Sequence, residues 1–431
     1  MEDQRATQAL RPPGRGLPLL DARRSGWKGA ALWGAGPMAH LDRLRAEHLM
    51  AVAGLDAILL LSPESFRYAT GAAPGVGTMW RRAGAVAVLL PCDATAGGMA
   101  VVSDLFAEPV RRAGAVTDLR PTPLWVETGE AGRWQGTGLA RPETFDPALC
   151  WAHVAQALAE GGLARGRIGI EMDAISARDW PALAQALPGA ELIDASDLVA
   201  RLKMVKSTAE IALLRQAVTL AERGIAAVRD AAAPGMSRDD LSAVWSRTIA
   251  AERGDAPLTG AWDYISVGPD PWGGNAVARR GDVIKVDVGC LMDGYTSDSG
   301  RTFVLGPPSA DQARAYGALH AGFRAGLAVL GPGIPLATVH RVAEAAIRAA
   351  GIDGFTRGHF GHGLGAGLGS EEWPFLSATS PVVAEPGMVL AFECPWYVTG
   401  LGGFIVENQL LVTADGIEVM NRLPDGLVEL G

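Results

Sequence analysis

Five side chains in the last third of the sequence have the types and placing that metal chemistry uses: Asp287, Asp298, His362, Glu393 and Glu407. Each sits where an apolar, strand-like run meets a glycine-rich break. Four carboxylates and one imidazole make a hard, oxygen-rich ligand set, and their formal charge matches two divalent cations. Buried carboxylates without a counter-charge are prohibitively costly. Either these acids are exposed and unrelated, or they converge on metal ions, and their local sequence favours convergence.

The first two acids belong to one predicted hairpin. Val283–Leu305 reads VIKVDVGCLMDGYTSDSGRTFVL, with Asp293-Gly294 at its centre. That dipeptide favours a two-residue type I′ turn. Closing the turn there sets Met292 opposite Tyr295 and Gly289 opposite Asp298. Asp287, two residues before Gly289, then shares a face with Asp298 as its diagonal neighbour, at roughly 7–8 Å. Ordinary strand-end acids are the bland alternative, but Asp287 interrupts an apolar run where a lone charge is out of place. Asp293 itself is explained by the turn.

His359 and His362 lie in a glycine-rich stretch, GHFGHGLGAGLGSEEWP. Imidazole is a common metal ligand, and glycine lets the backbone approach closely. A strand over Gly387–Val398 carries Glu393, a glycine turn follows, and the return strand Phe404–Val412 carries Glu407. If that hairpin is regular and centred near Gly400, the two glutamates face each other. Like charges so placed repel unless one is neutral or a cation bridges them.

The elements that must position these groups fall into two predicted domains. Residues 1–39 are rich in Arg, Gly and Pro without a period and are expected to form an extension. Residues 40–200 alternate helix and strand: a helix over Leu41–Gly54, then strands over Leu55–Pro63, Ala83–Asp93 and Met99–Asp104. This pattern predicts an α/β domain. Residues 201–431 open on a long helix with a capping box at Ser207 and Glu210, and further helices are expected around Ser237–Gly254 and Ala310–Gly331. At 48% hydrophobic residues the chain can build substantial cores. Its net charge of −9, with 47 acids against 38 bases, argues against a nucleic-acid surface. Cys92, Cys150, Cys290 and Cys394 have no CxxC spacing, which fits free thiols. No signal-peptide core and no long apolar run suited to a membrane helix is present, so a cytoplasmic protein is expected.

These segments resemble the pita-bread metalloenzyme superfamily of Xaa-Pro aminopeptidases, prolidases, methionine aminopeptidases and creatinase. The family hairpin D-x-G-x(8)-D-x-T-R-T resembles Asp287-Val-Gly followed by Asp298-Ser-Gly-Arg-Thr. H-G-I-G resembles His362-Gly-Leu-Gly, GMVLTxEPGxY resembles the run Gly387–Glu393, and I-E-D-x-x-L-V-T resembles Val406–Thr413. The resemblance covers about residues 40–420. It implies a creatinase-type α/β N-terminal domain, an α+β pita-bread catalytic domain, a homodimer, and two divalent ions of Mn, Co or Zn on the five ligands. It also implies amide hydrolysis by a hydroxide bridging the two ions, with Glu393 shuttling the proton.

The neighbours of the ligands depart from the peptidase pattern. Val267–Arg280 lacks the expected upstream histidine. Position 369 is Gly where a second histidine is expected, and Glu371 stands in its place after an apparent insertion. Cys394, Ile405, Asn408 and Gly300 replace Pro, Arg, Asp and Thr. His359 or Glu371 is therefore expected to supply the assistance those histidines give. An alternative is a small-molecule enzyme similar to creatinase, ectoine hydrolase or a dimethylsulfoniopropionate lyase, with Trp272, Trp373 and Trp396 caging a cationic substrate. A non-catalytic binding protein on the same fold is the third possibility.

Overall fold

The computed structural model describes residues 40–116, 118–367 and 371–431. The expected extension over 1–39 and Gly369 lie outside the described residues.

Period-two alternation builds the first sheet. Ile58, Leu60, Val88 and Leu90 enter one apolar cluster, while Ala57, Leu59, Ala87 and Leu89 enter another on the opposite face. A sheet apolar on both faces must be covered on both, and helices do this. Six strands pair in the order Asp118–Thr122, Met99–Ser103, Ala87–Pro91, Ala57–Leu60, Arg167–Ile170, Glu191–Asp194. The Ala87–Pro91 strand runs antiparallel to both neighbours, and the other pairs are parallel. The helix Arg43–Ala53 starts on an Asp42 cap and stops at Gly54, whose φ of 64° glycine adopts without strain.

The second half begins with the helix Thr208–Ala231, and the capping box of Ser207 and Glu210 is present. Its buried side follows helical spacing: Ala217, Ala221, Ile225 and Val228 pack on the sheet built around Val283–Met292, while Leu214 and Val218 meet Tyr295, Val389 and Ala391. Gly224 lets Trp245 of the neighbouring helix Arg238–Glu252 pack directly on the backbone; a Cβ there would lie 2.3 Å from the indole. A second sheet has the order Glu372–Ser377, His359–Gly363, Val389–Glu393, Glu407–Val412, Ile417–Val419. The helices Ala310–Val329 and Leu336–Ala349 cover it, the latter beyond what the sequence pattern singled out.

Both predicted hairpins form in the expected register. Asp293 and Gly294 have φ of 48° and 82°, as a type I′ turn demands. Tyr295 pairs with Met292 and Ser299 with Val288, so one continuous register sets Asp298 opposite Gly289. Glu393 pairs with Glu407, and Val398 pairs with Gly402 around the turn at Gly400. The tip Trp396–Phe404 peels away as a separate two-stranded ribbon.

The N-terminal domain clasps the first hairpin at its tip. The Arg67 guanidinium pairs with Asp293, so the turn residue also serves an interdomain contact. Arg45 pairs with Glu385 at 3.3 Å.

Candidate metal centre

The two sheets bring the ligand strands together through specific ties. Buried Arg301 donates to the Glu407 carbonyl at 2.5 Å and to Asn408 Oδ1 at 2.9 Å, joining the Asp298 strand to the Glu407 strand. Thr302 Oγ1 donates to the Ile405 carbonyl at 2.8 Å. Ile405 fills the space above Gly300, where a Cβ would meet it at 2.7 Å. Two departures from the family pattern are thus in contact, the apolar Ile405 side chain packing directly on the Gly300 backbone. Backbone bonds from Thr296 to Gly365 and from Gly367 to Gly294 fasten the glycine-rich segment of His362 to the first hairpin.

Asp298, His362 and Glu407 converge. Their ligand atoms all lie within 4.8 Å of one another, and all three residues are buried. Asp298 Oδ2 is 3.6 Å from His362 Nε2. His362 Nδ1 lies 3.0 Å from the Gly363 carbonyl. A proton on Nδ1 makes that bond and leaves Nε2 as the free lone pair facing the acids. Asp298 Oδ1 and Glu407 Oε2 are buried and find no donor among the described residues. Burial, then Asp287 and Glu393, pushes the Asp298 carboxyl well above the usual carboxylate range. Burial, then Asp298 and Glu393, does the same to Glu407. Two orphaned acid oxygens beside a free imidazole nitrogen are the donor set of a divalent cation, and the residues fit one.

Asp287 and Glu393 border this group and hold cations of the chain's own. Lys285, two residues from Asp287 on the same face, places Nζ 2.9 Å from Asp287 Oδ2 and 3.2 Å from the Tyr397 hydroxyl. Its ammonium sits 3.8 Å from the Tyr264 ring centroid and is wholly buried. Arg357 donates to Glu393 Oε1 at 2.7 Å. Sequence reasoning passed over both cations. The signal for Lys285 was present, since it interrupts the same apolar run, Val-Ile-Lys-Val-Asp-Val, that exposed Asp287.

His359 and Glu371 both reach the centre. His359 Nδ1 is 3.9 Å from Glu393 Oε1, and Nε2 is 3.9 Å from Glu371 Oε2. The Gly361 amide donates to His359 Nδ1 at 3.3 Å, which leaves the ring proton on Nε2. Burial, then Arg357, lowers the His359 pKa, so the ring is neutral at neutral pH. Trp272 and Trp396 share a cleft of about 520 Å³ with Phe355, Arg357 and Tyr397. Trp373 does not join them. It lies in a separate cleft beside Ser196 and Val199, with the Arg201 guanidinium 5.5 Å over its ring. Asn275, in the stretch lacking the histidine, accepts from the Asp239 amide.

The fold and ligand set define a metal-dependent hydrolase with a pita-bread catalytic domain behind a creatinase-type domain. Residues 212–414 match metallopeptidase family M24, and residues 41–205 match the creatinase/prolidase N-terminal domain. The chain is similar to the probable dipeptidase PepE of Mycobacterium tuberculosis, at 32% identity over 59% of this chain and 68% of that protein. It is similar to an agropine synthesis cyclase of Rhizobium rhizogenes, at 28% identity over 73% of this chain and 81% of the other. The crystal structure of dipeptidase PepE from Mycobacterium ulcerans superposes with a TM-score of 0.71 at 26% identity, covering 90% of this chain and 96% of that one. The chain belongs to metallopeptidase family M24.

Proposed function

We propose that this protein hydrolyses an amide bond in a small substrate of about dipeptide size. The observation that carries the proposal is the convergence of Asp298, His362 and Glu407, with orphaned buried oxygens, beside Glu393 and His359. Dipeptidases among its relatives support the substrate class. A divalent ion held by these three residues would supply Lewis-acid activation of water and carbonyl. Glu393, raised above its ordinary range by burial against the opposing pull of Arg357, would hold and release the proton. His359 would offer its Nε2 proton to substrate oxygen, the assistance lost with the family histidines. Glu371, whose Oε2 lies 3.9 Å from the same Nε2, would hold or resupply that proton. Trp272 and Trp396 would line the substrate cleft. Two-ion chemistry with a bridging hydroxide would need Asp287 and Glu393 to give up Lys285 and Arg357.

Manganese, cobalt or zinc as the ion, a homodimer and a cytoplasmic location complete the proposal, supported by the family pattern. Among the described residues, no helix is long and apolar enough to cross a membrane.

A second reading is an enzyme of the same centre acting on a non-peptide small molecule. The aromatic lining of the cleft by Trp272, Trp396 and Tyr397 favours it, and so does the match to a relative named a cyclase. A panel of Xaa-Pro and other dipeptides, N-acyl amino acids and compatible solutes distinguishes the readings. Dipeptide cleavage that stops on chelation and in Asp298→Ala is expected. Turnover of non-peptides with no dipeptide cleaved would establish the second reading, and activity indifferent to chelation would overturn both.

A further inference from the structure

The five family ligand positions carry four carboxylates, and two fixed cations touch them. Lys285 engages Asp287 and Arg357 engages Glu393. What remains is the charge of two carboxylates, the complement of one divalent ion. The geometry divides the same way. Among the described residues, the ligand atoms close enough to share an ion are those of Asp298, His362 and Glu407, and Asp287 and Glu393 stand outside that group.

We propose that the centre takes a single divalent ion, on Asp298, His362 and Glu407, and that Lys285 and Arg357 stand in for the charge of a second. This rests on the metal-dependent reading of the site and goes beyond it. Lys285 is built for such a place. Its ammonium donates to Asp287 and to the Tyr397 hydroxyl, and the Tyr264 face covers it. A wholly buried lysine with these partners pays its desolvation through them. A second ion bound by Asp287 would sit beside this ammonium, and like charges at a few ångströms in a buried site repel strongly. Arg357 lies at the edge of the substrate cleft, so one of the two cations borders the space a substrate would enter. An organic cation, unlike an ion in equilibrium with solution, is not lost by dissociation. The centre therefore keeps half of the usual compensating charge permanently.

The test is the number of ions per chain. Purified full-length protein, stripped and then dialysed against Mn²⁺, Co²⁺ or Zn²⁺ in turn, is assayed by elemental mass spectrometry and titration calorimetry. The Mn²⁺ form is also examined by electron paramagnetic resonance, which separates isolated ions from coupled pairs without reference to turnover. One ion per chain, with an uncoupled spectrum, is expected. Two ions with a coupled spectrum overturn the proposal while leaving the metal-dependent reading intact. No ion overturns that reading as well. In Lys285→Met with Arg357→Met, a second ion should bind roughly 10–100-fold more tightly than to the unaltered protein. A folded double variant that still takes one ion would overturn the substitution of charge. If that variant does not fold, the count on the unaltered protein decides.

Discussion

Glu393 and Glu407 face each other directly across an antiparallel pair of strands, yet their carboxylates have different partners. Glu393 accepts from Arg357 at 2.7 Å, while Glu407 Oε2 is buried with no donor among the described residues. One is compensated by the chain, and the other could take part in holding a cation with Asp298 and His362. Different roles for two acids in one cross-strand pair follow from that asymmetry.

Removing a converging ligand should remove the ion. Asp298→Ala and His362→Ala should each abolish stoichiometric metal and turnover, as elemental analysis and a substrate assay would show. Added metal should raise the melting temperature of the unaltered protein and not that of the variants, because an ion that binds only the folded chain stabilises it. A variant that keeps both ion and activity would refute the ligand assignment.

Glu393→Gln keeps the shape of the side chain and removes its proton chemistry. Turnover should fall by roughly 10²–10⁴, with the ion retained on Asp298, His362 and Glu407. Rate and metal content are measured on the same sample; a rate within tenfold of the original would exclude Glu393 as proton carrier.

Gly326 lets Phe392 pack on the helix Ala310–Val329, and a Cβ would lie 2.2 Å from that ring. Phe392 precedes Glu393 and stacks on Phe323 at 5.3 Å. Gly326→Ala gains about 1 kcal/mol of helix propensity but overpacks this contact, at a cost of about 1–3 kcal/mol. The expected outcome of a denaturant titration is lower stability, accompanied by reduced turnover as Glu393 shifts. Unchanged stability would show that the ring moves freely.

Glu210 is the buried acid of the capping box, and burial, against the pull of Lys206, raises its pKa from 4.5 to about 7. An acid with a raised folded pKa binds more protons folded than unfolded between those values. Its contribution to stability therefore declines as pH rises from 4.5 to about 7. Glu210→Gln should flatten this decline in unfolding experiments across that range. A variant with an undiminished pH slope would place the proton elsewhere.

Much of the centre was legible before folding because its signals are local. An Asp-Gly turn dictates its own register, and period two then fixes which strand residues share a face. Those rules placed Asp298 opposite Gly289 and Glu393 opposite Glu407, and an acid inside an apolar strand marked Asp287, Glu393 and Glu407 as candidates. Lys285 obeyed the same rule, but its meaning depends on what surrounds the ammonium, which is not local. Tyr264 and Tyr397 reach it from distant segments. Trp373 shows the same limit, since it shares its residue type with Trp272 and Trp396 but lines a different cleft.

The sequence by itself determined the fold, the two hairpins and which acids share a strand pair, because strand period, turn chemistry and charge in apolar runs are properties of neighbouring residues. Only the tertiary structure decided how those acids are neutralised. Electrostatic compensation depends on distances between groups far apart in the chain. Folding alone brought Lys285 and Arg357 onto two of the acids and left Asp298 Oδ1 and Glu407 Oε2 without donors among the described residues.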